Sequence, residues 1–182
     1  MKIVVISGSP HRSGTSAVLV DALIRGVLES GHQVTRFDAA FHRIQPCQAC
    51  HACQQNGGVC VQRDDMDALH QSLLEAGAVV LASPIYYNDI CGQLKTVIDR
   101  FYAKEQELKT PKRAALLLAF GDDSSDAVKG VLYNFRAMLG FFGWTLADTD
   151  IVAAYGCNSA EDVRKTDFPQ DAYEVGRRMG MA

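Results

Sequence analysis

Three separate stretches of this 182-residue chain, Ile3–Ile6, Ala78–Ala82 and Ala114–Phe120, are apolar at every position. A strand with one wet face alternates polar and apolar residues, whereas an unbroken apolar run belongs to a strand covered on both faces. The segments between these runs carry apolar residues at helical spacing: Leu19, Ala22, Leu23, Gly26 and Val27, then Met66, Leu69, Leu73 and Leu74, then Leu94, Val97, Ile98 and Phe101. A longer helix is expected over Val128, Val131, Leu132, Phe135, Leu139 and Phe142. Gln33–Phe37 and Trp144–Val152 read as two further strands, and a polar-faced helix follows Pro169. Strands alternating with helices imply an α/β fold, a doubly wound five-stranded parallel sheet with helices on both faces. Nothing repeats and no linker intervenes, so residues 1–182 are expected to form one domain.

In such a sheet, ligands bind outside the carboxyl ends of the strands. The loops at 8–16, 84–89 and 121–124 each follow a strand and are expected to converge on one edge. The first places Ser9, Ser13, Thr15 and Ser16 around a strand-to-helix turn, with Gly8 and Gly14 giving backbone freedom. Hydroxyls, free N–H groups and a helix N-terminus favour a phosphate. Neither Gly-Lys-Ser/Thr nor G-x-G-x-x-G is present, so a monophosphate suits this loop better than a triphosphate or a dinucleotide. An N-cap and a turn would account for one such hydroxyl, not four. Tyr86 and Tyr87 are suited to stacking on a flat heterocycle; ordinary packing at a strand end is the plainer reading of either alone.

Four cysteines, Cys47, Cys50, Cys53 and Cys60, follow the spacing C-x2-C-x2-C-x6-C in a loop at 46–61. Four thiolates on one loop can hold a [4Fe–4S] cluster or a tetrahedral zinc. Zinc sites more often divide into two separated C-x2-C pairs, and a metal-free, redox-active loop is the third reading. His51 is expected to face solvent; Cys91 and Cys157 lie outside the motif, and Cys91 is expected to serve as a small packing residue.

The net charge of −3 and pI near 5.9, with dispersed basic residues, argue against nucleic acid as a partner. No apolar run approaches the ~20 residues that span a bilayer, so no membrane partner is expected. Met1–Gly8 is too short and too soon broken by Ser, Gly and Pro for a signal peptide, and reads as a buried strand. A cytoplasmic location would keep the six cysteines reduced.

Ser7-Gly8-Ser9-Pro10-His11 with Gly14-Thr15-Ser16, followed by Ser83-Pro84-Ile85-Tyr86-Tyr87 and Gln93-Leu94-Lys95-Thr96-Val97-Ile98-Asp99-Arg100, resembles the NADPH-dependent FMN reductase family from residue 1 to about 120. Within that superfamily, the cysteine loop with Asp64-Asp65-Met66 after it is similar to the iron–sulfur flavoproteins. The resemblance implies a flavodoxin-like sheet of strand order 2-1-3-4-5. It implies FMN, with its phosphate on Ser9, His11, Ser13, Gly14, Thr15 and Ser16. The ring would then be flanked by Pro84, Ile85, Tyr86, Tyr87 and Asn88, with Gly121 and Asp122 on its pyrimidine side. Family members commonly carry Arg where this chain has His11, leaving Arg12 as the alternative cation. It further implies homodimers or homotetramers, with Asp99 and Arg100 pairing at an interface or merely on the surface.

The function expected from these residues is an FMN-dependent oxidoreductase between a reduced donor, NAD(P)H or ferredoxin, and a small-molecule or protein acceptor, with or without a [4Fe–4S] cluster on Cys47, Cys50, Cys53 and Cys60. Without the cluster it would be an NAD(P)H:flavin or quinone reductase. No side chain is assigned as a general acid or base; Asp89, Asp122 and Asp123 are read as solvated loop carboxylates. A non-enzymatic zinc-binding or redox-sensing module and a flavodoxin-type electron carrier are the more distant readings.

Overall fold

The computed structural model describes residues 1–180. In chain order the regular elements are β1 (Lys2–Ser7), α1 (Thr15–Glu29), β2 (Gln33–Asp38), α2 (Ala52–Gln55), α3 (Met66–Glu75), β3 (Ala78–Tyr86), β4 (Asp89–Ile90) and α4 (Gly92–Arg100). They continue through α5 (Glu105–Leu108), β5 (Lys112–Ala119), α6 (Lys129–Phe142), β6 (Trp144–Ala154), α7 (Ala160–Arg164) and α8 (Phe168–Arg178). The parallel path runs β2-β1-β3-β5-β6.

The sheet has six strands rather than the expected five, so the order 2-1-3-4-5 needs correction. Residues 83–86, read from sequence as the start of a loop, extend β3, which then turns back to pair antiparallel with the two-residue β4. Tyr87 and Asn88 make that turn with φ of 51° and 61°. Two left-handed residues in a two-residue hairpin match the right-handed twist of the flanking strands.

The period of two along each strand sorts the apolar side chains into two layers. Ile3 and Val5 face Leu19, Leu23 and Val27 of α1, with Val163 of α7 and Val175 of α8. Val4 and Ile6 face Met66, Leu69 and Leu73 of α3, Leu94 and Val97 of α4, and Val131, Phe135 and Leu139 of α6. Helices α1 and α8 cross at two glycines: a Cβ on Gly26 would lie 2.2 Å from the Tyr173 carbonyl oxygen, and one on Gly176 2.1 Å from that of Leu23. No helix among the described residues is long and apolar enough to cross a membrane.

The loop at 46–61 is closed at its base by two neighbouring carboxylates. Asp64 accepts hydrogen bonds from the backbone N–H groups of Gln45 and Met66 at 3.0 and 3.1 Å. Asp65 accepts from Arg43 N at 2.8 Å and meets His42 Nδ1 at 3.1 Å. Beneath them lies Arg100, 1% exposed, whose guanidinium grips both oxygens of Asp64 at 2.6 and 3.1 Å and donates to the Gln45 carbonyl at 2.8 Å. Arg100 is therefore an internal anchor and not the interface or surface charge expected; Lys95 and Asp99 pair on the surface instead. Burial pushes the Asp64 carboxyl up, but the hydrogen bonds from Arg100, Gln45 and Met66 outweigh it and hold its pKa below the ordinary value. A depressed carboxyl stabilises the fold above its unfolded pKa, and that contribution is lost as pH falls through the folded value. The anchor is thus intact at neutral pH and fails only in acid, below the ordinary carboxylate range.

Arg100→Leu leaves Asp64 charged, buried and unmatched, and is expected to lower unfolding stability by about 3–5 kcal/mol. Paired with Asp64→Leu, much of that loss is expected to return. Urea unfolding of both variants measures this, and equal losses in the single and double variants contradict the ion-pair account.

Candidate active site

Helix α1 begins without a side-chain cap: Gly14 precedes it, and no carboxylate occupies its first turn. Ala17 N and Val18 N donate back to the Gly14 carbonyl at 3.1 and 3.3 Å. The N–H groups of Thr15 and Ser16 have no acceptor within the helix, as at any helix start. The Ser16 hydroxyl is fully buried and its Oγ has no hydrogen-bond partner among the described residues. A buried hydroxyl left unpaired costs about 1–3 kcal/mol, so its presence here calls for an acceptor from outside the chain. Ser9, also buried, tightens the turn by accepting from His11 N at 3.2 Å.

A cavity of about 410 Å³ opens in front of this helix start. His11, Ser13, Gly14 and Thr15 line it from the first loop, Pro84, Ile85 and Tyr86 from the end of β3, and Gly121 from the loop after β5. These eight expected residues are brought together. Ser9 and Ser16 lie buried behind the wall. Arg12 turns away, its guanidinium 3.8 Å above the Phe41 ring. Tyr87 and Asn88 stand exposed at the hairpin tip. Asp122 is outside the lining; its Oδ1 accepts from Ser124 N at 2.7 Å and its carbonyl from Gly156 N at 2.8 Å. Burial, with Cys91 close by, pushes the Tyr86 phenol up, which keeps it neutral.

The remaining wall, Ala119 and Phe120 at the end of β5 and Cys157 to Ala160 after β6, was not among the residues singled out as a site in the sequence. A signal was available: Ser159-Ala-Glu-Asp162 is a capping box that starts α7, with each side chain bonding the other residue's backbone. Burial, then the nearby Asp162, pushes the Cys157 thiol up, so it lines the cavity as a neutral thiol. A larger cavity of about 620 Å³ lies between the cysteine loop and α4 and α6. Its walls are mainly apolar and aromatic and its charged members, Asp99 and Glu105, are acidic, so it does not suit a phosphate.

The chemistry of the smaller cavity fits FMN: an orphaned buried hydroxyl and an open helix start for a monophosphate, with an apolar strand end and an aromatic ring for a flat heterocycle. The four loop cysteines are free thiols, but the fold does not gather them. Cys47 and Cys50 are exposed, Cys53 is buried, and Cys60 is half-buried and faces Arg100. Among the described residues no three His, Cys, Asp or Glu side chains are placed to hold a metal ion together. As placed, this donor set does not fit a [4Fe–4S] cluster.

The sequence profile of the NADPH-dependent FMN reductase family matches residues 1–155. An iron–sulfur flavoprotein from Archaeoglobus fulgidus is 36% identical over 134 residues, covering 72% of this chain and 60% of that protein. A putative NAD(P)H-dependent FMN-containing oxidoreductase, YwqN, from Bacillus subtilis is 28% identical, covering 79% of this chain and 80% of its own. Among solved structures, a flavodoxin from the domain Archaea superposes with a TM-score of 0.61 at 13% identity, covering 98% of this chain and 99% of that one, which shows the flavodoxin-like fold. The matched part of the chain thus spans about three-fifths of the archaeal iron–sulfur flavoprotein's length.

Ser16→Ala separates the two roles of that residue. Without ligand, removing an unpaired buried hydroxyl is expected to raise the melting temperature by about 2–4 °C. Affinity for FMN is expected to fall roughly tenfold, the worth of one hydrogen bond to a charged group. Thermal melts with and without FMN read both signs, and a variant that melts lower without ligand contradicts the orphan assignment.

Proposed function

The chain belongs to the NADPH-dependent FMN reductase family, and from that premise we propose that it is an FMN-dependent oxidoreductase taking reducing equivalents from NAD(P)H and passing them to a small-molecule acceptor. The observation that carries this reading is the unpaired Ser16 hydroxyl at an uncapped helix start, just behind the Gly14 and Thr15 wall of a cavity of heterocycle-binding character. Bound FMN supplies the exchange between two-electron and one-electron chemistry. The chain's own part is positional. Thr15 and Ser16 N–H groups and the Ser16 hydroxyl hold the phosphate, with His11 beside it in the cavity wall. Pro84, Ile85 and Tyr86 form one wall for the ring, and the strained turn at Tyr87 and Asn88 fixes where that wall ends. No side chain is given the role of general acid or base. Residues 1–182 are read as one FMN-binding domain that assembles into homodimers or homotetramers, the states common among proteins of this family.

A second reading adds a [4Fe–4S] cluster on Cys47, Cys50, Cys53 and Cys60, with ferredoxin as an electron donor. It is supported by four free thiols at compact spacing and by the relative of that description. It requires the loop to rearrange so that the sulfurs converge. Ala49 and His51 lie between the cysteines at φ of 51° and 57°, a conformation that non-glycine residues hold at some strain.

Protein purified without oxygen is expected to carry one FMN per chain that NADPH bleaches. Bound flavin that stays yellow under excess NADPH and NADH sinks the reductase reading. Roughly four irons and four sulfides per chain support the second reading; zinc alone, without flavin, favours a binding module.

A further inference from the structure

We propose that the Asn158 carboxamide binds the uncharged riboflavin part of the nucleotide, from the wall that follows β6; this rests on the FMN reading above. Asn158 lines the cavity, and its Oδ1 lies 2.1 Å from where a Cβ on Gly121 would stand, with Nδ2 at 3.3 Å. The carboxamide therefore packs against the Gly121 backbone, in space that any larger residue at 121 would take. No hydrogen bond among the described residues engages this carboxamide, which leaves a donor and an acceptor available side by side.

Its backbone, by contrast, is firmly held. The N–H groups of Asn158 and Ser159 both donate to Asp162 Oδ2, at 3.0 and 2.8 Å, while Ser159 Oγ accepts from Asp162 N at 3.2 Å. A polar group on a backbone already fixed loses little further freedom when it binds, which favours contact.

Charge decides which part of the ligand it meets. Hydrogen bonds from Ser159, side chain and backbone, keep the Asp162 carboxyl below its usual range and so ionised. Asp122 lies on the same side through its link to Gly156, and Asp123 Oδ1 comes within 3.0 Å of the Cβ position at Gly156. Lys165 also acts on Asp162, but the three carboxylates together still disfavour a phosphate dianion beside them. The start of α1 carries the positive end of a helix dipole and no acid in its first turn. The phosphate accordingly belongs at α1. The Asn158 wall is left with the neutral part, whose ring imide and ribityl hydroxyls offer the donors and acceptors that a carboxamide matches.

The test is titration of the flavin-free full chain with FMN and, separately, with riboflavin, followed by quenching of flavin fluorescence. Asn158→Ala is expected to weaken both ligands by the same factor, roughly tenfold. Gly121→Ala, which displaces the carboxamide, is expected to do likewise. Asn158→Ala binding both ligands within about twofold of the wild type overturns the proposal. A loss confined to FMN also overturns it, because the contact would then be at the phosphate. Wild-type protein that binds neither ligand removes the FMN reading itself, and this proposal with it.

Discussion

The three central strands bury both of their faces, and that requirement fixes where everything else can go. Ile3 and Val5 must be covered on one side and Val4 and Ile6 on the other, so helices are forced to both faces of the sheet. Parallel strands then need crossovers, and every crossover leaves its strand at the same edge. The loops after β1, β3, β5 and β6 meet there for topological reasons, whatever their sequences. What the sequences add is chemistry: an uncapped helix start, a tyrosine-tipped hairpin, and glycine where another side chain must lie close.

The cavity built at that edge joins two kinds of wall. One is the start of α1, where Thr15 and Ser16 present unmatched donors. The other follows β6, where Asn158 and Ser159 are held by Asp162. A phosphate is favoured by the donors of the first and disfavoured beside the carboxylate of the second. The cysteine loop stands apart from it, clamped at its base by Asp64, Asp65 and the buried Arg100, with its thiols free and spread between solvent and interior.

Much of this was legible in the residues. Unbroken apolar runs identify β1, β3 and β5, and helical spacing locates α1, α3, α4 and α6 to within a few positions. The first loop announced itself through four hydroxyls and two glycines. Three features were not legible, each for a physical reason. The extension of β3 into a hairpin depends on Tyr87 and Asn88 adopting left-handed backbone, which neither residue type signals as glycine would. Arg100 looked like a surface charge because its partner, Asp64, is distant in sequence and only the tertiary fold brings them together. Asn158 is one polar residue after an edge strand. Its place in the cavity follows from the Ser159–Asp162 capping box and from the missing side chain at Gly121, two signals that gain meaning only together. The expected cluster site shows the opposite limit: spacing can supply four thiols, but convergence is a property of the folded loop.

The most direct test of the account is the ratio of wild-type affinities for FMN and riboflavin, measured on the flavin-free chain at fixed ionic strength. Several charge-assisted hydrogen bonds to one phosphate, at about 1.5–3 kcal/mol each, make FMN the tighter ligand by roughly a hundredfold or more. Equal affinities for the two flavins would mean that the start of α1 holds no phosphate, and would contradict the central claim.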